Sequence, residues 1–236
     1  MWTRSELKEK AKVSFKANYW LSVLTALIIT LVSGASGGSS GRNASNSIST
    51  ASKASNEGGI GGVIVLATLL GALAIGIVLI IIKIVVGNAL IIGSQKLFIK
   101  NEVDFGDAKA NNIGFVFKEG HWKNVAITMF LVDLFTSLWT LLFIIPGIIK
   151  GYEYKMIPYL LAEDPEMSYQ DAFAKSKEMM YGQKWNAFVL DLSFIGWHIL
   201  SAFTLGILGV FYVMPYYYQT SAELYLTLTP YLQKCS

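Results

Sequence analysis

The sequence predicts an all-α membrane protein, a polytopic bundle of about six transmembrane helices, on the basis of its composition and its apolar blocks. Of the 236 residues, 53% are hydrophobic and only 15% are charged, whereas a soluble domain has about 25% charged residues. The charged residues are therefore too few to cover a water-facing surface. A bilayer core needs roughly 20 apolar residues per helix. Five apolar blocks stand out: 19–33, 60–99, 122–149, 185–204 and 205–228.

The third apolar block is long enough for two helices. Block 122–149 continues through Pro146-Gly147 to Leu161, which is about twice the length of one membrane span. Because Pro-Gly is a strong turn signal, we expect one helix at about 122–145 and a second at 147–162.

The remaining long blocks bring the predicted number of spans to six. The stretch 185–228 contains two spans, and Gly206 and Gly209 are the expected reversal between them. Block 60–99 forms either one span or one span with a re-entrant or interfacial segment. The whole chain, 1–236, is then a single membrane domain.

The distribution of Lys and Arg predicts the orientation in the membrane. Segments 1–18, 96–123 and 150–184 carry five Lys or Arg residues each, and segment 34–59 carries two. Because loops rich in positive charge remain in the cytoplasm, both termini are predicted to be cytoplasmic. Segment 34–59, rich in Ser, Gly and Asn, is predicted to be a flexible outer loop.

Three segments share a layout that predicts an internal repeat. In each, a helix-capping residue precedes an acid by three positions, and a Trp follows 17 or 18 residues after the capping residue. The capping pairs are Thr3 with Glu6, Asp104 with Asp107, and Ser168 with Asp171, and the Trp residues are Trp20, Trp122 and Trp185. The repeats cover 3–99, 104–163 and 168–229. Each is predicted to contain a cytoplasmic amphipathic helix, an interfacial Trp anchor and two spans, and all three run parallel.

The amphipathic helices are predicted from stripes of apolar residues. The stripe of the first repeat and its flanking lysines are Leu7, Ala11, Ser14 and Phe15, with Lys8, Lys12 and Lys16. The stripe of the third repeat contains Tyr169, Ala172, Phe173, Ser176 and Met180. A helix with such a stripe either lies on the cytoplasmic membrane surface or packs on the bundle as an ordinary loop helix.

Polar residues inside the apolar blocks are candidates for a functional site, because a charge in a span costs roughly 2.5–3.5 kcal/mol. They are Lys83, Asp133, Asp191 and His198. Asp133 follows Trp122 by about 16 Å of helix, near the bilayer middle. Asp191 and His198 are seven residues apart and share a helix face, and Lys83 can pair with either Asp. The alternative is a structural polar contact between helices.

Several classes of function are not indicated. With one Cys and two His, the chain has no disulfide framework and little to form a metal site. No phosphate-binding loop or HExxH motif occurs, so we expect no enzyme and no cofactor. A formal net charge of +3 is too small to indicate binding to nucleic acid.

Segments Arg4–Lys12 and Ile145–Tyr154, with the Asn18-Tyr-Trp20 and Pro158-Tyr159 positions, resemble an uncharacterised bacterial membrane-protein family, domain of unknown function 975. The chain is more distantly similar to the membrane part that precedes some glycerophosphodiester phosphodiesterases. The resemblance implies a multi-pass protein of the plasma membrane. It implies no activity and no catalytic residue.

Two functions fit these features. The first is a non-enzymatic membrane scaffold whose basic cytoplasmic helices bind anionic lipid headgroups, a partner protein or a second copy of the chain. The alternative is a small-solute transporter or permease-like carrier, with its polar core formed by the four candidate residues.

Overall fold

The computed structural model describes residues 2–34, 60–104, 112–118 and 120–235, and these form helices and turns without a β-strand. The predicted all-α class is confirmed for this part of the chain. Most of the predicted outer loop 34–59 lies outside the described residues.

Twelve helices and two π-helical turns make up the described parts. In chain order the helices are α1 (Arg4–Ala17), α2 (Tyr19–Gly34), α3 (Ile60–Ile82), α4 (Asn88–Val103), α5 (Phe115–Lys118), α6 (Trp122–Leu142), α7 (Ile144–Glu153), α8 (Ile157–Glu163), α9 (Tyr169–Met179), α10 (Lys184–Leu192), α11 (Ile195–Phe203) and α12 (Met214–Cys235). The π-helical turns Lys83–Gly87 and Gly209–Val213 precede α4 and α12. Since helical backbone continues from α3 through the π-helical turn Lys83–Gly87 into α4, no re-entrant loop interrupts residues 60–103.

Helices α4 and α12 form the centre of the bundle. Helix α4 packs on α2, α8 and α12, and α12 also packs on α1. Phe98 of α4, Leu161 of α8 and Tyr225 of α12 are among the largest fully buried side chains. The core therefore lies where α4, α8 and α12 meet.

The apolar stripe of α1 is buried by protein. All four stripe residues are buried, and the Phe15 ring lies 5.7 Å from the Tyr212 ring and 6.4 Å from the Tyr216 ring. The interpretation of this stripe as a membrane-facing surface is therefore wrong, because α12 covers it. Lys12 and Lys16 remain exposed, and the chain bends by 105° between α1 and α2.

Two helical stretches, Trp122–Leu142 and Lys184–Phe203, are long and apolar enough to cross a membrane. A third is added if the bent pair Arg4–Ala17 and Tyr19–Ser33 is one span, and α3 contributes the shorter apolar stretch Leu66–Val78. These helices indicate membrane association. The number of six spans stays a prediction.

Large apolar side chains are exposed along α2, α3, α6, the start of α7 and α11. They include Leu31, Leu73, Leu138, Leu141, Ile145, Leu200 and Phe203. So many exposed large apolar side chains are typical of a protein that contacts membrane or another protein.

The chain reverses after α6 at Phe143, three residues before the predicted Pro-Gly turn. Phe143 has an extended backbone, with φ −154° and ψ 131°. Pro146 instead lies in the first turn of α7, where its missing N–H removes no helical hydrogen bond. Gly147 permits α7 to approach α6 closely, because a Cβ there would lie 2.6 Å from the Cα of Thr140.

Two of the expected long helices are interrupted. The helix expected over 147–162 is divided by a turn at 154–156, between α7 and α8. The helix expected over 185–204 is divided at Ser193–Phe194, between α10 and α11. The reversal at Gly206 occurs where it was predicted, with φ 85°, a conformation that glycine adopts without strain.

The close contact between α6 and α7 makes Gly147 sensitive to the smallest substitution. We expect Gly147→Ala to lower the free energy of unfolding by about 1–3 kcal/mol, because the added methyl group overlaps the Thr140 backbone. Thermal unfolding in lipid nanodiscs measures the change. Gly151→Ala, one turn later, is the matched control, since its Cβ meets nothing closer than 3.9 Å. Equal effects of the two changes would contradict the proposed packing.

Candidate functional site

The helix-start residues of the first and third repeats cap α1 and α9. Thr3 Oγ1 accepts a hydrogen bond from the backbone N–H of Glu6 at 3.3 Å. Ser168 Oγ accepts one from the backbone N–H of Asp171 at 3.1 Å. Each cap satisfies a backbone donor that the helix itself leaves unpaired.

The second copy of the repeat has a different geometry, although all three Trp residues lie at helix starts. Asp104 is the C-cap of α4, and Asp107 lies outside the described residues. Trp20, Trp122 and Trp185 lie in the first turns of α2, α6 and α10. Trp20 and Trp185 are 74% and 71% exposed, as an interfacial side chain would be.

Asp191 is at the centre of a polar cluster. The Lys155 Nζ donates hydrogen bonds to both carboxylate oxygens of Asp191 at 2.7 Å. The Tyr152 hydroxyl donates to the same carboxylate at 2.8 Å, and Lys155 Nζ lies 5.7 Å from the centre of the Tyr217 ring. Because the Lys155 side chain is only 14% exposed, removal of Asp191 would leave a poorly hydrated ammonium.

This ion pair connects the two interrupted helices. Lys155 lies in the turn between α7 and α8, and Asp191 lies in the last turn of α10. Tyr217 adds α12 to the cluster. The ion pair thus joins the turn between α7 and α8 to the end of α10, shortly before the turn at Ser193–Phe194.

A cleft of about 450 Å³ opens beside the ion pair. Its lining residues come from α6, α7, α10, α12 and the turn after α7: Thr136, Thr140, Gly147, Ile148, Gly151, Tyr152, Lys155, Asp191 and Tyr217. At Gly151 a Cβ would meet nothing closer than the Thr136 methyl group at 3.9 Å. The α7 backbone is therefore open to the cleft at this position.

Two of the other predicted polar residues, Asp133 and His198, do not line this cleft. Asp133 and His198 have exposed side chains on α6 and α11. Asp191 and His198 lie on either side of the turn at Ser193–Phe194, within the helical stretch Lys184–Phe203, and the prediction that they share a helix face stays a prediction. Lys83 begins the first π-helical turn, and its side chain lies outside the described part of the chain. Lys155 is the lysine that pairs with Asp191.

A second charged cluster contains two lysines and one carboxylate. Glu153 is 4% exposed, and its Oε1 accepts a hydrogen bond from Lys150 at 2.7 Å. Its other oxygen, Oε2, accepts one from Lys184. The Ser176 hydroxyl donates to the Glu153 carbonyl at 2.7 Å, which joins α9 to the cluster. The three side chains carry a net charge of +1.

An apolar groove of about 320 Å³ lies beside this second cluster, between α7 and α10. Its lining residues are Ile145, Ile148, Ile149, Tyr152, Lys184, Trp185 and Phe188. Lys184 is the charged residue among them. Along α7 the lining residues lead from Glu153 towards the exposed apolar turn at Phe143.

A third polar cluster joins α1, α4 and α12 around Glu102, beyond the apolar stretch of α4. The Ser14 hydroxyl donates to Glu102 Oε2 at 2.6 Å, and the Gln219 amide donates to Oε1 at 2.8 Å. Burial raises the pKa of Glu102 to about 7, although both hydrogen bonds favour the carboxylate. The nearby Glu223 carboxylate raises this pKa further.

One comparison with known proteins finds a family match in the C-terminal part of the chain. Residues 140–231 match the model of the family described as Protein of unknown function (DUF975). The resemblance to this family is therefore confirmed over that stretch, which contains the Asp191 and Glu153 clusters. No curated protein and no solved structure matches the chain. The similarity to glycerophosphodiester phosphodiesterases stays a prediction.

The sequence does not distinguish Lys155 of the Asp191 cluster, or Glu153 and Lys184 of the second cluster, from the other charged residues of the predicted loops. The three-residue spacing of Lys150 and Glu153 is the one local indication of a pair. Among the described residues, no group of three or more His, Cys, Asp or Glu lies together in a way that could hold a metal ion.

The raised pKa of Glu102 predicts a pH-dependent stability. A carboxyl group with a folded-state pKa above its usual value of about 4.3 stabilises the fold when it is protonated. This contribution is complete below about pH 4.3 and is lost as the pH rises through about 7. We expect wild type to lose up to about 3 kcal/mol of stability between pH 5 and 8 from this group, and Glu102→Gln to lose much less.

Chemical unfolding at the two pH values measures this difference. Glu178→Gln, an exposed acid on α9, is the control and should retain the pH dependence of wild type. A Glu102→Gln variant with the full wild-type dependence would show that another group is responsible.

Proposed function

We propose that this protein is a non-enzymatic, multi-pass scaffold of the plasma membrane that binds anionic lipid headgroups. The observation that carries the proposal is the Lys150–Glu153–Lys184 cluster, in which two lysines share one carboxylate beside an apolar groove. A net positive charge next to apolar surface favours an amphipathic anion, and a bilayer supplies such molecules at high local concentration.

The proposed topology has six crossings with both termini in the cytoplasm. Helix α7, only about 15 Å long, carries the return of the middle repeat from the outer turn at Phe143 towards the cytoplasm. Helices α10 and α11 together, 184–203, form one crossing. The exposed apolar side chains of α2, α3, α6 and α11 support the placement of these helices in lipid.

Lysines adjacent to the interfacial Trp residues support binding to an anionic membrane surface. Lys123 Nζ lies 5.6 Å from the centre of the Trp122 ring, and Lys184 directly precedes Trp185. The exposed Lys12 and Lys16 lie on α1, shortly before Trp20. Each lysine near an anionic surface contributes about 1 kcal/mol of attraction.

A small-solute carrier is the second candidate, and the cleft beside Asp191 favours it. Interrupted membrane helices often meet at the substrate site of a carrier, and here the breaks flank the Lys155–Asp191 pair. The lipid-binding function is better supported, because the Asp191 carboxylate already accepts hydrogen bonds from Lys155 at both oxygens and from Tyr152. The Glu153 cluster, in contrast, has an excess positive charge.

Native mass spectrometry of the full chain, extracted with its lipids, tests both functions. We expect wild type to retain anionic lipid in preference to neutral lipid. Lys12→Gln with Lys16→Gln should weaken this retention about fivefold for each lysine. Gly151→Leu, which places a side chain in the cleft, should leave lipid retention unchanged.

The matched control removes the same net charge elsewhere. Arg42→Gln with Lys53→Gln changes the predicted outer loop and should retain lipid as wild type does. Equal retention of anionic and neutral lipid by wild type would exclude the proposed function. A small solute that is bound to wild type and absent from Gly151→Leu would support the carrier instead.

A further inference from the structure

We propose that the groove between α7 and α10 binds one acyl chain of an anionic phospholipid, whose phosphate contacts Lys184 and Lys150. This inference rests on the proposed lipid-binding function and assigns it a specific site. The groove combines an apolar lining with a positively charged end, which matches the two chemically different parts of a single phospholipid.

The charge at the end of the groove is fixed by the fold. Glu153 is buried and holds Lys150 and Lys184 by one oxygen each. Both lysine side chains remain partly accessible, at 28% and 31% exposed. One carboxylate cannot neutralise two ammonium groups, so the cluster attracts an additional anion. A phosphate oxygen can replace water at the accessible N–H groups of both lysines.

The remaining lining of the groove suits a hydrocarbon chain. Ile145, Ile148 and Ile149 come from α7, and Phe188 from α10. From Tyr152 to Ile145 the α7 axis extends about 10 Å, roughly one third of the hydrocarbon core of a bilayer. The site is therefore long enough for the first part of an acyl chain, and the rest continues into the bilayer.

The polarity of the groove agrees with the direction of a lipid in the cytoplasmic leaflet. Trp185, which is 71% exposed, lies beside Lys184 at the start of α10. An exposed Trp next to a Lys is typical of the headgroup level of a membrane. Ile145, at the opposite end, lies next to the exposed apolar turn between α6 and α7. The phosphate and the chain would thus occupy the depths that they have in the bilayer.

Lys184→Gln tests the site without leaving a buried charge unpaired. The change reduces the net charge of the cluster from +1 to zero, and Glu153 keeps its ion pair with Lys150. The full-length protein is titrated with phosphatidylglycerol, and separately with phosphatidylcholine, and bound lipid is counted by native mass spectrometry. We expect Lys184→Gln to weaken phosphatidylglycerol binding about fivefold and to leave phosphatidylcholine binding unchanged.

Two further variants distinguish the effect of surface charge from the effect of filling the groove. Lys177→Gln, an exposed lysine of α9, is the matched control and should bind phosphatidylglycerol as wild type does. Ile149→Trp fills the groove at a half-exposed position and should weaken the binding of both lipids. Glycerol 3-phosphate, which has no acyl chain, should not bind to any of the variants at the same concentration.

The results distinguish this site from the general function. If wild type does not prefer phosphatidylglycerol over phosphatidylcholine, the proposed lipid-binding function itself is wrong. If wild type has this preference and Lys184→Gln retains it fully, anionic lipid binds elsewhere and the proposed groove is wrong. An equal loss in Lys184→Gln and Lys177→Gln would also overturn the site, because it would show a general effect of surface charge.

Discussion

The side chains that α2, α3, α6 and α11 present on the outside are largely apolar, and contact with water would be unfavourable for this surface. A bilayer removes that cost, but it then requires every polar group at the same depth to have a partner. The Lys155–Asp191 pair meets this requirement where two helices break. The buried polar cluster around Glu102 lies where α1, α4 and α12 pack, and the cluster around Glu153 joins α7, α9 and α10.

The two charged clusters next to α7 have different capacities to bind a ligand. Both oxygens of the Asp191 carboxylate accept hydrogen bonds from Lys155, and one also accepts a bond from Tyr152, so a ligand would compete with existing bonds. Lys150 and Lys184 share a single acceptor and can take an anion without losing it. This difference, rather than the volume of either cavity, favours lipid binding over solute transport.

Local features of the fold could be predicted from the sequence, and tertiary contacts could not. The Thr3 and Ser168 caps and the reversal at Gly206 depend on a few neighbouring residues. The partner of Asp191 depends on the turn that brings Lys155 to it, 36 positions away in the chain. The helix start at Ile144 likewise depends on Gly147 packing against α6, although Pro146-Gly147 reads locally as a turn.

Cysteine accessibility tests most directly whether the apolar surface lies in the bilayer and the charged helices in the cytoplasm. The single native cysteine, Cys235, is replaced by Ser, and Leu138→Cys or Lys177→Cys is introduced. With a membrane-impermeant maleimide, we expect Lys177→Cys to react only after the cells are permeabilised, and Leu138→Cys to react only after denaturation. Labelling of Leu138→Cys in native membranes, or of Lys177→Cys in intact cells, would contradict the proposed arrangement.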